Sequence, residues 1–144
     1  MEKVLCSVDK EFTVEFFDVD SMQVAWHGNY VKYMEIGRCA LLDSISYGYK
    51  EMVADGYAFP VTEIRLKYVK SLFFGEKAVI RSSLLEYENR IVIKYEIFNH
   101  KGELATKAES KQMALNLTTH ESEFVCPPLL IERAEKFIRE HGLR

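Results

Sequence analysis

The chain has 144 residues, 48% of them hydrophobic, 28% charged and 12% aromatic, and a net charge of −3. That length gives one domain with a sizeable core and is too short for two. Both signs of charge are interspersed with no basic block, which speaks against a nucleic-acid partner, and no apolar run approaches the length of a membrane span.

The opening segment "MEKVLCSVDKEF" is charged too early for a secretory signal. From Glu11 to Phe17 apolar residues alternate at Phe12, Val14 and Phe16, which predicts a half-buried strand. Asp18 to Gly28 has no clean period and reads as a loop. Asn29 to about Ala54 lacks proline and holds good helix formers, Met34, Ala40, Leu41 and Leu42 among them, which predicts one long helix. Its apolar residues fall nearly all round, the mark of a buried helix. Gly37, Ala40 and Ser44 form a stripe of small residues along which something flat can approach closely.

Beyond Gly56 the period changes to two. "YAFPVTEIRLKYV", "KAVIRSSLLEY", "IVIKYEIF" and "ELATKAESKQMALNL" each predict strands, joined by turn chemistry at Ser71–Gly75, Glu88–Arg90 and Asn99–Gly102. Pro127 and Pro128 open a final helix that Gly142 closes. No repeat or linker interrupts the order, so residues 1–144 form a single α+β domain with a C-terminal helix from about 127. With no second helical layer, the antiparallel sheet must wrap the long helix. Such a sheet leaves edges, and a second copy is the simplest cover, so a homodimer is expected and a homotetramer compatible. Cys6, Cys39 and Cys126 are far apart and odd in number, against a disulfide framework or zinc site and in keeping with a reducing cytoplasm.

The densest chemistry lies between the first strand and the long helix, in "FFDVDSMQVAWHGNY". Unpaired amides converge at a helix start and its dipole favours negative charge. A carboxylate facing such amides, with room between for a carbonyl, suits acyl transfer, because the amides receive the developing oxyanion.

The run "DVDSMQVAWHGNYVKYMEIGR" resembles the signature of the 4-hydroxybenzoyl-CoA thioesterase family, hotdog-fold acyl-CoA thioesterases with a sheet wrapped around a central helix. The pattern is approximately D-x-D-x-x-G-x-V-aromatic-H-x-x-Y with a glutamate and an arginine on the helix. It is matched at Asp18, Asp20, Trp26, His27 and Tyr30, with Glu35 and Arg38 behind, and "FPVTEIRLKYVKSLFFGEKAVI" resembles the family's next strand and turn. The likeness spans roughly residues 9 to 118. Three departures stand out. Gln23 occupies a position where the family often has glycine, Ala25 one where a β-branched residue is frequent, and the turn "VKSLFFGEKA" reads as lacking the family's proline and acidic residue.

The resemblance implies hydrolysis of an acyl-CoA, or an acyl group on a carrier protein, with no cofactor and no metal. Asp20 would attack the thioester carbonyl or activate water; on its own, Asp20 reads as a loop or cap residue. Asp18 reads as structural. His27 would polarise the carbonyl through its backbone amide, or act through its ring. Gly28 allows close backbone approach, and Asn29 is a reasonable N-cap. Trp26, Tyr30 and Phe59 are candidates for the acyl pocket wall, the first two equally readable as packing. Glu35 and Arg38 should pair with each other. Arg65, Lys67, Lys70, Arg81, Arg90 and Lys94 read as a solvated face, and no coenzyme A phosphate contact is assigned. Two other functions compete: an acyl-CoA binder without turnover, and a hotdog hydratase or dehydratase, whose histidine–carboxylate pairing this motif does not supply.

Overall fold

In the computed structural model, which describes residues 3–142, the first strand β1 runs Cys6–Thr13. It begins earlier and ends sooner than the alternation predicted. Phe16 is 71% exposed, and Phe16–Asp18 is a 3-10 turn that carries the chain off the strand line. The early half was masked by Asp9 and Lys10, yet Asp9 lies on the outer face, ion-paired with Arg81 at 2.8 Å.

The predicted long helix is two helices, α1 at Tyr30–Ser44 and α2 at Tyr49–Ala54. Ser46 takes a left-handed conformation at φ 64°, and the Ser46 and Tyr47 amides turn back to the carbonyls of Asp43 and Leu42. Nor is α1 buried all round. Tyr30, Tyr33, Met34, Gly37, Leu41 and Leu42 face inward, while Val31, Lys32, Cys39, Asp43 and Ser44 are exposed. Of the small-residue stripe Gly37 is buried against the sheet, whereas Ser44 is exposed and its Oγ donates to its own helix, at the Ala40 carbonyl, 2.8 Å away.

The remaining strands are β2 (Tyr57–Ala58), β3 (Val61–Tyr68), β4 (Lys77–Glu86), β5 (Ile91–Phe98), β6 (Leu104–Gln112), β7 (Ala114–Asn116) and β8 (Ser122–Glu123), followed by α3 (Pro128–His141). Five form an antiparallel sheet in the order β1-β4-β5-β6-β3, and β2-β7-β8 form a small second sheet. Inward residues alternate as period two requires: Ala78, Ile80, Ser82 and Leu84 on β4, Ile91, Ile93, Tyr95 and Ile97 on β5. α1 crosses this face against β1 and β4, with Tyr33 stacked on Phe12 at 4.4 Å between ring centres. The approach is close at Gly37, where a Cβ would stand 2.4 Å from Ser82 Oγ. β1 and β3 are the sheet edges, and β3 is exposed along most of its length. Among the described residues no helix is long and apolar enough to cross a membrane.

Candidate active site

Asp18 fastens the end of the first strand to the start of α1. Its side chain is 1% exposed, accepts the Glu15 amide at 3.0 Å, and is ion-paired with the Lys32 ammonium. Its carbonyl accepts the Trp26 amide at 2.9 Å and the Asn29 side chain at 2.6 Å. Burial pushes the Asp18 carboxyl up, but Lys32 and the Glu15 amide outweigh it and hold it below the usual carboxylate range. Asn29, expected as the N-cap, makes no side-chain cap bond: its backbone is already helical, at φ -74° and ψ -14°, and its side-chain NH₂ donates to the Asp18 carbonyl.

Between Asp18 and Trp26 the chain makes a tight loop. Val19 bridges Ala25, the Asp20 amide donates to the Val24 carbonyl at 3.0 Å, and the Gln23 amide donates to the Asp20 carbonyl at 3.0 Å. Gln23 sits at φ 62°, a left-handed conformation that glycine adopts without strain, which gives a physical reason for the family's glycine there. Asp20 is exposed and its Oδ1 accepts the Met22 amide at 2.8 Å. The sequence placed this carboxylate facing the helix amides; within the single chain it instead turns on Met22 and toward solvent.

The helix start lies at the far end of the same loop. Asn29 donates to the Trp26 carbonyl and Tyr30 to the His27 carbonyl, while the His27 and Gly28 amides carry no acceptor among the described hydrogen bonds. The Trp26 ring, 52% exposed, lies over Gly28 so closely that a Cβ there would fall 2.1 Å from a ring carbon. His27 is exposed, beside Trp26 at 4.9 Å and edge-on to Tyr68 at 6.4 Å. Tyr68, which the sequence did not single out, donates its hydroxyl to the His27 carbonyl at 2.9 Å. Tyr30 is buried at 3% exposure, edge-on to Tyr33 and Tyr68.

The structure therefore brings Asp20, Trp26, His27, Gly28 and Tyr30 to one end of α1. Phe59 lies elsewhere. Arg38, about 12 Å further along the helix than Tyr30, donates to the Phe59 carbonyl at 3.1 Å and to Glu35 at 2.8 Å, the expected helix pair. Phe59, with Cys39, Leu42, Tyr49, Met52 and Leu115, lines a mainly apolar cavity of about 510 Å³. Four of the basic candidates are ion-paired on the surface: Arg65 with Glu109, Lys70 with Glu103, Arg81 with Asp9 and Arg90 with Glu86.

The turn before β4 is the second feature missed. It reads from sequence as lacking an acidic residue, yet Glu76 supplies one, 8% exposed and folded back on the turn. Leu72, Phe73 and Phe74 of this turn hold the Asp20 loop from outside. Ala25 donates to the Leu72 carbonyl at 2.8 Å, Val24 bridges Phe73, and Phe74 donates to the Gln23 carbonyl at 3.0 Å.

Residues 14–137 match the model of the thioesterase-like superfamily. A Bacillus subtilis (strain 168) protein provisionally named acyl-CoA thioesterase YneP is 35% identical over 108 residues, 74% of this chain and 78% of that one. A crystal structure of a DHNA-CoA thioesterase from Staphylococcus aureus superposes with a TM-score of 0.82 at 30% identity, covering 93% of this chain and 94% of the other. A further Staphylococcus aureus protein, SAV2348, determined in complex with CoA, shares the fold at a TM-score of 0.84 and 16% identity, over 100% of this chain and 89% of that one.

Proposed function

The chain belongs to the thioesterase-like superfamily and is a thioester hydrolase acting on acyl-CoA, and we propose that Asp20 carries the hydrolysis while the His27 and Gly28 amides receive the charge that builds on the carbonyl oxygen. The supporting observation is a solvent-facing carboxylate and two unengaged amides at opposite ends of one short, pinned loop. The resemblance of the run from Asp18 to Arg38 supports reading the chain, within the superfamily, as of the 4-hydroxybenzoyl-CoA type. With a thioester carbonyl oxygen on the amides, this reading has the Asp20 carboxylate leave the Met22 amide and approach the carbonyl carbon, or a water beside it. On the first route the carboxylate oxygen bonds to the acyl carbon and the thiolate leaves, and water then cleaves the anhydride. On the second, water adds directly and Asp20 takes its proton. Either way one water is consumed and a free acid and a thiol are released. An acyl group on a carrier protein presents the same bond.

The site is built by two copies in this reading. β3 is an open edge whose inner-face residues Ile64 and Tyr68 are 37% and 47% exposed. Antiparallel pairing of two β3 strands about an axis near Ile64 and Arg65 sets Tyr68 of one copy opposite Val61 of the other. Tyr68 holds His27, and Phe59 precedes Val61, so the helix start of one chain comes to the mouth of the other's Phe59 cavity. That cavity takes the acyl group, and Asp20's turn toward solvent is a turn toward the second copy. The free thiols Cys6, Cys39 and Cys126 fit the cytoplasmic location we assign it.

The test is Asp20→Asn, assayed by thiol release across a panel of acyl-CoAs. A folded variant should lose roughly 10²- to 10⁴-fold in kcat. A folded variant that turns over at the wild-type rate removes Asp20 from the chemistry.

A further inference from the structure

Glu76 is a buried carboxylate that the hydrolysis does not use, and every one of its contacts bears on how the reactive loop is held. Oε1 accepts the Phe73 amide at 2.9 Å, closing the turn on itself. Oε2 accepts the His100 amide at 3.0 Å and lies 2.6 Å from His100 Nδ1, which ties the turn to the β5–β6 hairpin. The Glu76 backbone completes the bracket: its carbonyl accepts the Val14 amide at 2.9 Å, and its amide donates to the Phe73 carbonyl at 3.0 Å. On its other side the turn carries Gln23, Val24 and Ala25 of the Asp20 loop.

A carboxylate at this depth is costly unless satisfied, and here its oxygens accept from two backbone amides and an imidazole nitrogen. Burial pushes the Glu76 carboxyl up, but the His100 and Phe73 amides and the His100 ring outweigh it and hold the group below the usual carboxylate range. The charge is therefore matched to donors on two separate loops. Losing it takes away the acceptor that the Phe73 and His100 amides share and frees the turn to move.

From this arrangement we infer that Glu76 is a positioning residue for the hydrolysis: clamped by His100, it fixes the Leu72–Glu76 turn and, through it, the loop from Asp20 to Trp26. The inference rests on the reading of Asp20 as the reactive group. It accounts for a turn that spends a buried charge where a neutral residue would close the bend. Glu76 touches no substrate in this account and acts only through the loop.

The chain's single tryptophan, Trp26, ends that loop and reports its order independently of activity. Glu76→Gln keeps the size of the side chain but presents an amide NH₂ or a neutral oxygen to the His100 donors. Because Trp26 is already 52% exposed, its acrylamide quenching constant can rise by at most about twofold on loosening, and a rise toward that limit is expected. With it, kcat should fall about 10- to 100-fold with KM changed far less, the signature of a misplaced group rather than a lost binding contact. His100→Ala, which leaves the backbone amide in place, should show both effects in weaker form, and it decides the matter should Glu76→Gln fail to fold. Trp26 quenching unchanged in a folded Glu76→Gln variant overturns the inference whatever the activity does. Loosened Trp26 with full kcat overturns the link to catalysis. Asp20→Asn, measured alongside, then tells whether the fault lies with the clamp or with the assignment of Asp20.

Discussion

Replacing Gly37 by alanine separates two opposite expectations by the sign of one measurement. On an exposed helix the change stabilises by about 1 kcal/mol, because alanine is the better helix former. At Gly37 the new Cβ would lie 2.4 Å from Ser82 Oγ and 3.0 and 3.1 Å from Ile80 carbons. Ser82 and Ile80 sit on β4, hydrogen-bonded to β1 on one side and β5 on the other, so the strand cannot recede. The helix must lift instead, by something near 1 Å, and contacts along its inner face weaken as the gap opens. Overpacking of this kind costs about 1–3 kcal/mol, which outweighs the propensity gain and leaves a net loss of about 1 kcal/mol. For a domain of this size the thermal midpoint should fall by roughly 2–5 °C. Ser82 Oγ is buried without a partner among the described residues, so Ser82→Ala alone should be close to neutral. Combined with Gly37→Ala it should recover part of the loss, and the double-mutant cycle measures the contact directly. A rise in midpoint for Gly37→Ala, or strict additivity with Ser82→Ala, would refute the close approach of α1 to β4.

Acid should loosen the active end of the molecule. Asp18 and Glu76 are both held below their ordinary values of 3.8 and 4.5, so each contributes stability that is present above those values and lost as pH falls through the lower folded ones. The urea midpoint should hold from pH 7 to about 5 and then decline; a midpoint flat down to pH 3 would contradict the sign. His27→Ala should keep kcat within about tenfold of wild type if only the backbone amide of His27 acts, and a loss beyond about 100-fold would assign the imidazole a proton-transfer role.

Most of the sheet was legible because its inner face obeys period two without a break: Ile91, Ile93, Tyr95 and Ile97 are all essentially buried. What misled was local charge and the absence of a breaker. Asp9 and Lys10 hid the first half of β1, although an edge strand tolerates charge on its outer face. The end of α1 depends on a left-handed Ser46, a state serine rarely adopts, in a stretch without proline. At the site, the resemblance carried Asp20, Trp26, His27 and Tyr30 to one place, and the Gln23 departure falls on a left-handed backbone position. Glu76 and Tyr68 were out of reach for a different reason. Their partners, His100 and His27, lie 24 and 41 residues away, and no pattern within one element encodes such a meeting.

The bend ahead of β4 joins segments that sit far apart in the chain, Val14, Gln23 to Ala25 and His100. None of these can dock until the strands that carry them have met, so the loop that presents Asp20 is completed late in folding, after the costly long-range closures have been made. The same dependence runs in reverse. When the hairpin tip at His100 frays, the reactive loop loses its backing while the Ile- and Tyr-lined interior stays intact, so activity fails before the fold does.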